Sequence, residues 1–271
     1  MNATLAALFI YPVKSCRGLA LPRARLTTRG LEHDREWLIV DRDGRFVTQR
    51  EQPRLAQIIP VLQSDALQLS APGLPPINVD LKQPTVVTEV TVWRDTLPAW
   101  DQGDEAADWL SRWTGAPLRL ARFDPAQRRY CNPDYVGDRG AHHAFADGYP
   151  VLVVSEASLA DLNSRLDSAL PMNRFRPNIV LSGVEAFDED HCAELGIGRV
   201  KLLLVKPCTR CRITTIDQET AEAGVEPLPT LASYRHDAEL AGVAFGMNAI
   251  VSAGAGSSIS VGNAVRAHLD F

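Results

Sequence analysis

Short runs of alternating or wholly apolar residues, broken every few positions by Pro, Gly and charged clusters, dominate the first half of the chain and predict strands. Residues 5–11 form the first such run. Residues 37–40 and 45–48 follow, joined by Asp41-Arg42-Asp43-Gly44, a hairpin turn in which Gly44 supplies a positive φ. Residues 55–62, 67–70 and 86–93 read the same way, with Ala71-Pro72-Gly73-Leu74-Pro75-Pro76 as punctuation. The period changes at Asp104: Ala106, Trp109, Leu110 and Trp113 recur at helical spacing and Gly115 can close the helix, so this stripe belongs to a core. From residue 122 to 149 no period holds, and the stretch reads as a domain junction or an active-site loop. Beyond it, residues 150–154 make a buried strand, and Ser155 caps a helix running to Leu166 with Leu159, Leu162 and Leu166 on one side. Strands return near residues 179–181, 201–205, 213–216, 249–251 and 264–269. Strands and helices do not alternate regularly, which favours a β-rich α+β architecture built on β-barrels over a doubly wound sheet.

The chain has 271 residues, enough for one large domain or two modest ones, because single cores stop growing near ~250–300 residues. Hydrophobic residues at 45% and charged residues at 23% are globular proportions and exclude a disordered or disulfide-dense chain. The formal net charge is −5, so no global field attracts nucleic acid and an anion site must be built locally. The longest apolar runs, residues 151–154 and 202–205, fall far short of the roughly 18–20 residues of a spanning helix, and no membrane partner is expected. No Lys or Arg precedes Leu5 and Phe9, and no small-residue cleavage site follows, so the expected location is cytoplasmic. Cys16, Cys131, Cys192, Cys208 and Cys211 make an odd count that fits reduced thiols.

The sharpest local feature is Lys206-Pro207-Cys208-Thr209-Arg210-Cys211-Arg212, followed by the alternating Ile213-Thr214-Thr215-Ile216. A strand entering and a strand leaving oppose a thioredoxin-like dithiol, which opens a helix. Two packed cysteines are one reading, since free Cys often behaves as a small buried hydrophobe. Half of a zinc site completed by His191 and Cys192 is another, although those two lack the paired spacing of structural zinc modules. Lys206, Arg210 and Arg212 favour a thiolate, which suits a soft metal centre. Near the N-terminus, Tyr11-Pro12-Val13-Lys14-Ser15-Cys16-Arg17-Gly18 offers a cation, a hydroxyl and a permissive Gly. With Arg35 it reads as an anion cradle or as surface cations at strand ends. Arg176 and Asn178 flank Pro177 and share a face of extended backbone. Their guanidinium and amide suit a phosphate and a heterocycle edge, or else satisfy loop carbonyls. His142-His143 points to opposite faces and reads as a surface pair.

Several segments, in this order and spacing, resemble the MOSC family with its N-terminal β-barrel domain. They are Tyr11-Pro12-Val13-Lys14-Ser15, Asp34-Arg35-Glu36-Trp37, Phe145-Ala146-Asp147-Gly148-Tyr149-Pro150, Ser155-Glu156-Ala157-Ser158-Leu159, Phe175-Arg176-Pro177-Asn178, Pro207-Cys208-Thr209-Arg210-Cys211, Glu226-Pro227-Leu228 and Phe245-Gly246-Met247-Asn248. That group contains the mitochondrial amidoxime-reducing component and bacterial reductases of N-hydroxylated compounds. The resemblance runs from about Leu5 to about Ala267. It implies an N-terminal β-barrel domain over residues 1–120 and a MOSC domain over residues 121–271. It also implies a molybdenum cofactor, Mo-molybdopterin, in a cleft between the two. Cys211 matches the metal-ligating and catalytic cysteine of the family. Lys14, Ser15, Arg35, Arg176 and Asn178 match positions that hold the pterin and its phosphate, while Thr209, Arg210 and Asn248 match pocket positions.

The implied activity is reduction of amidoximes, hydroxylamines or N-hydroxylated bases to the amidine or amine plus water. No cysteine follows Cys211, whereas an Fe–S cluster normally needs four, so electrons are expected from a separate donor protein. The N-terminal anchor of the mitochondrial members is not expected. A cofactor carrier or sulfur-transfer module without turnover is the alternative, because a MOSC domain also ends molybdenum-cofactor sulfurases. No pyridoxal-phosphate desulfurase domain is expected within this length.

Overall fold

A computed structural model describes residues 2–81 and 86–269. Its larger body is a barrel. The strands Val151–Ser155, Ile179–Ser182, Asn2–Ile10, Ala264–Leu269, Cys192–Ile197, Val200–Thr209 and Gly242–Ala253 follow one another in space, and the last pairs back onto the first. Only the pairing of Val151–Ser155 with Ile179–Ser182 is parallel among these. Closure removes the exposed edges that an open sheet would leave. Its interior is filled by Leu5, Leu8, Ile10, Val153, Ile179, Leu195, Leu202 and Met247, all buried. The first strand therefore packs with strands from the far end of the chain, Leu8 opposite Ile179 and Ala3 opposite Val265.

The chain leaves the barrel at Tyr11 and builds a second body before returning. That body holds a four-stranded sheet, in the order Trp37–Val40, Arg119–Phe123, Asp95–Asp101 and Val86–Val92, and a three-stranded sheet of Ile59–Leu62, Ala66–Ala71 and Leu74–Asp80. The helix Asp104–Thr114 starts with two acids that favour its N-terminal dipole and stops where Gly115 turns left-handed at φ 73°. Its predicted stripe is buried against Trp37, Ile39, Leu55, Leu67 and Leu69. Truncating Leu110 to Ala there costs about 2–5 kcal/mol.

Four local expectations give way to side-chain chemistry. Residues 45–48 form only isolated bridges, because Phe46 pairs with Val40 while Arg45 turns to Thr91. Glu51 then ties down both the backbone N–H and the hydroxyl of Thr48. In residues 55–62, Pro53 opens a 3-10 turn, Pro53–Gln57, and strand begins only at Ile59. Residues 213–215 belong not to a strand but to the 3-10 turn Arg212–Thr215, since Thr214 and Thr215 donate their hydroxyls back to the Cys211 and Arg212 carbonyls, and Ile216 makes only an isolated bridge to Ala223. The helix capped by Ser155 covers Glu156–Asn163 and stops short of Leu166, because the Asn163 amide bonds the backbone of Leu170 through both its oxygen and its nitrogen.

The aperiodic stretch 122–149 is shaped by one buried cation. Arg129 donates to the Ala144 and Ala146 carbonyls at 2.8 and 3.0 Å and pairs with Asp95, which fixes the loop carrying Asp147. His143 is not a surface group: it is buried, and burial followed by the charge of Arg129 pushes its pKa down to about 3, so the ring is neutral.

Candidate functional site

All nine residues singled out by sequence line a single cleft, joined there by Thr48, Arg50, Asp147, Tyr149, Leu152, Phe175 and Cys208. Barrel closure and the excursion of the chain into its second body bring them together. Lys14 and Ser15 sit just past the first barrel strand, Arg35 just before Trp37–Val40, and Arg176 and Asn178 just before Ile179–Ser182. Five cations, Lys14, Arg35, Arg50, Arg176 and Arg210, line the cleft against one carboxylate, Asp147. A locally positive hollow thus lies within a chain of negative net charge.

One end is dense and buried. The guanidiniums of Arg35 and Arg176 lie over the Tyr11 ring at 4.3 and 4.2 Å from its centroid. Burial drives the Tyr11 phenol up to about 12, and its neutral hydroxyl donates to the Pro177 carbonyl at 3.1 Å. Arg35 donates to Asp34 at 2.6 Å, to the Asn178 amide oxygen at 2.9 Å and to the Arg176 carbonyl at 3.1 Å. Burial opposes its charge, but Asp34 outweighs that and the pKa rises. Arg176 has no such carboxylate: burial, with Arg35 adding repulsion, pushes it down to about 10, still protonated at neutral pH. An anion between them would relieve that repulsion.

The backbone here is held against its preference. Ser15, Arg35 and Arg176 have φ of 68°, 47° and 56°, in the left-handed region that costs non-Gly residues on the order of 1–3 kcal/mol. Asn178 shows what offsets the cost. Its amide oxygen accepts from the Leu152 N–H as well as from Arg35, and its amide nitrogen donates to the Phe9 carbonyl, so it ties Arg35 to two barrel strands. These bonds make Asn178 a positioning residue for the cation beside it.

The other end is open. Cys208 and Thr209 close the Val200–Thr209 strand, and Cys211 has an extended backbone at φ −119° before the 3-10 turn. Strand pairing continues past Thr209, with the Arg210 N–H bonded to the Val243 carbonyl at 2.8 Å. The two cysteines are drawn out along the chain and not wrapped into the helical turn of a dithiol oxidoreductase. Cys211 is exposed and Cys208 half-buried. Arg210 donates to the Cys208 sulfur at 2.9 Å and to the Phe175 carbonyl at 2.7 Å, while its Nε is buried with no partner. Asn248, on the facing strand, donates to the Pro207 carbonyl. Of the cations adjacent in sequence, Lys206 and Arg212 do not line the cleft. Lys206 instead lies over the Tyr135 ring at 4.5 Å.

Asp147 is the acid that sequence reasoning did not select. It accepts from Lys14 Nζ at 2.6 Å and from the Trp93 indole N–H at 2.9 Å. Its side chain is exposed, and the Lys14 ammonium against it holds the carboxyl far below the ordinary range. Its signals in the sequence were its place in the aperiodic stretch and in the segment 145–150 that carries the family resemblance, and nothing in residue type alone separated it from its neighbours. The zinc alternative loses its geometry: His191 and Cys192 do not line the cleft. Among the described residues no three His, Cys, Asp or Glu side chains are grouped to hold a metal ion.

Comparisons with known proteins identify the family. Residues 2–117 match the MOSC N-terminal beta barrel domain and residues 140–266 match the MOSC domain. The chain is 40% identical over 243 residues to mitochondrial amidoxime-reducing component 1 of Homo sapiens, an alignment covering 86% of this chain and 72% of that one. It is 37% identical over 246 residues to mitochondrial amidoxime reducing component 2 of Rattus norvegicus, with the same two coverages. The Bos taurus component 2 is 38% identical over 242 residues. With family matches over most of its length and relatives this similar, the chain belongs to the MOSC family.

Proposed function

We propose that this protein is a molybdenum-cofactor-dependent oxidoreductase that reduces N-hydroxylated compounds, such as amidoximes, hydroxylamines and N-hydroxylated bases, to the amidine or amine plus water. Electrons come from a separate donor protein, and the reaction is cytoplasmic. The observation that carries the reading is the convergence, in one cleft, of two guanidiniums stacked on Tyr11 at one end with an exposed thiol at the other. The names of relatives up to 40% identical point the same way.

The residues fit the group. Arg210 Nε and the Tyr149 hydroxyl are buried without a protein partner. Such orphans cost free energy unless a ligand or water meets them. When bound, the cofactor supplies a redox metal and a pterin tail bearing one phosphate, the chemistry that no side chain here provides. Arg35, Arg176, Lys14 and Ser15 would hold the phosphate and pterin, with Asn178 and Asp34 fixing Arg35. Cys211 would be the protein's ligand to the metal. Asp147, kept ionised by Lys14, remains an acceptor at neutral pH and orients the ammonium and the Trp93 indole at the cleft. The test is turnover of a hydroxylamine with an artificial electron donor, using protein from a host that makes the cofactor. Reduction that tracks molybdenum content supports the assignment. Bound cofactor without turnover would favour the carrier reading.

A further inference from the structure

Two buried glutamines outside the cleft join the halves of the molecule beneath it. Gln49, between Trp37–Val40 and the Pro53–Gln57 turn, and Gln218, after Arg212–Thr215, have 0% and 3% of their surface exposed. Each donates its amide to the other's oxygen at 3.0 Å. The second amide hydrogen of Gln49 goes to the Ser15 carbonyl at 2.7 Å and that of Gln218 to the Ile216 carbonyl at 3.0 Å. The Gln218 oxygen also accepts from Arg176 Nη1 at 3.4 Å, and the same nitrogen donates to the Cys16 carbonyl at 2.7 Å. Every amide hydrogen of the pair is used. The network ends on Ser15 and Arg176, two of the residues held at positive φ. Three peripheral contacts grip the same segment from the second body, Arg17 with Glu219 and with the Gln218 carbonyl, and Gln57 with the Glu219 carbonyl. Contacts of that kind contribute little in water, whereas a buried, fully satisfied pair is costly to open halfway.

We propose that Gln49 and Gln218 form a latch that opens to admit the cofactor and closes to lock Ser15 and Arg176 around its anionic end. What enters rests on the molybdenum-cofactor reading; whether the latch opens does not. Broken at one residue, the pair leaves the partner's amide orphaned. Gln49→Leu and Gln218→Leu should therefore each loosen the latch at least as much as the double replacement does, instead of adding.

Cys16 supplies a readout that needs no cofactor. Its thiol is fully buried next to the network, whereas Cys131 and Cys192 are buried elsewhere and serve as internal controls. The cofactor-free full chain is treated with N-ethylmaleimide, and labelling is followed peptide by peptide by mass spectrometry. At least a tenfold faster reaction at Cys16 is expected in each single variant and in the double, with Cys131 and Cys192 unchanged. An unchanged Cys16 rate overturns the latch, and so does a rate that rises equally at all three thiols, which would report general destabilisation. Should one single variant fail to fold, the double, which leaves no lone amide of the pair, takes its place. In loaded protein the same variants should release molybdenum at least tenfold faster, and release at the parent rate would overturn the gating role. A parent chain that takes up no molybdenum would instead defeat the functional reading, leaving the Cys16 experiment to decide the latch.

Discussion

The two ends of the cleft are built on opposite principles. Around Tyr11 the ring and Asn178 are buried, the half-buried Arg35 and Arg176 guanidiniums are paired, and three backbone positions are held left-handed. Around Cys211 the thiol is exposed and the chain runs extended into a short 3-10 turn. The first end is organised to hold one fixed shape and the second to leave a reactive atom accessible. On the proposed function, a cleft that retains a large anion and exposes a metal to substrate needs this division, because rigidity at the anion end does not obstruct the reacting end. Mutations should therefore separate: one end controls retention and stability, the other turnover.

The largest effect should come from the open end. Cys211→Ser is expected to lower reductase activity by at least about a hundredfold. Its melting temperature should stay within about 1–2 °C of the parent, since an exposed side chain without packing contributes under ~0.5 kcal/mol. Parent-like turnover of a hydroxylamine would break the comparison at that end. At the buried end, Arg176→Ala should weaken cofactor retention by about 1.5–3 kcal/mol, the worth of one charge-assisted contact, or roughly 10–100-fold in dissociation constant. Molybdenum content after dilution against a chelator measures it, and undiminished content would remove Arg176 from the anion site.

Asn178→Ala tests rigidity itself. Removing an amide that serves Arg35, Leu152 and Phe9 should cost about 2–4 kcal/mol of unfolding free energy, read by denaturant titration. A loss below ~1 kcal/mol would mean that Arg35 is held without it.

A pH-dependent term sharpens the same region. His33, two residues before Arg35, pairs with Glu36 at 2.7 Å. That hydrogen bond raises the His33 pKa, and Glu36 is lowered by His33 and Arg122 against the effect of its burial. His33 thus contributes stability that is full below its ordinary value of 6.5 and lost as pH rises through the higher folded value. The Glu36 part is present above 4.5 and lost as pH falls through its lower folded value. The stability gap between parent and His33→Gln should be widest between about pH 4.5 and 6.5 and shrink as pH rises through the raised His33 value; a gap that does not vary with pH would remove the ion pair. The smallest effect belongs to Cys208→Ala, whose sulfur accepts from Arg210 and donates weakly to the Thr209 carbonyl: activity should fall by less than about threefold. Complete loss of bound molybdenum in that variant would give Cys208 a larger role.

Much of this site was legible as residue types at strand ends. Lys14, Arg35, Arg176 and Cys211 each carried a local signal, because a cation or a thiol beside an apolar run invites a chemical question. Their convergence was not written locally. Arg35 meets Asn178 across 143 positions only because the first strand is captured by a barrel whose other strands come from the second half of the chain. The 3-10 turn after Cys211 was misread as strand because Thr has strand propensity in the abstract, while here its hydroxyls compete for backbone carbonyls. Gln49 and Gln218 gave no signal at all: a neutral amide reads as solvent-facing until tertiary structure buries it beside its match.

The account stands on Cys211 as a ligand to molybdenum, and X-ray absorption at the metal tests that most directly. Molybdenum in the parent protein should show one more sulfur neighbour than in protein loaded as the Cys211→Ser variant. An identical sulfur count in the two, or no molybdenum in parent protein from a cofactor-competent host, would contradict it.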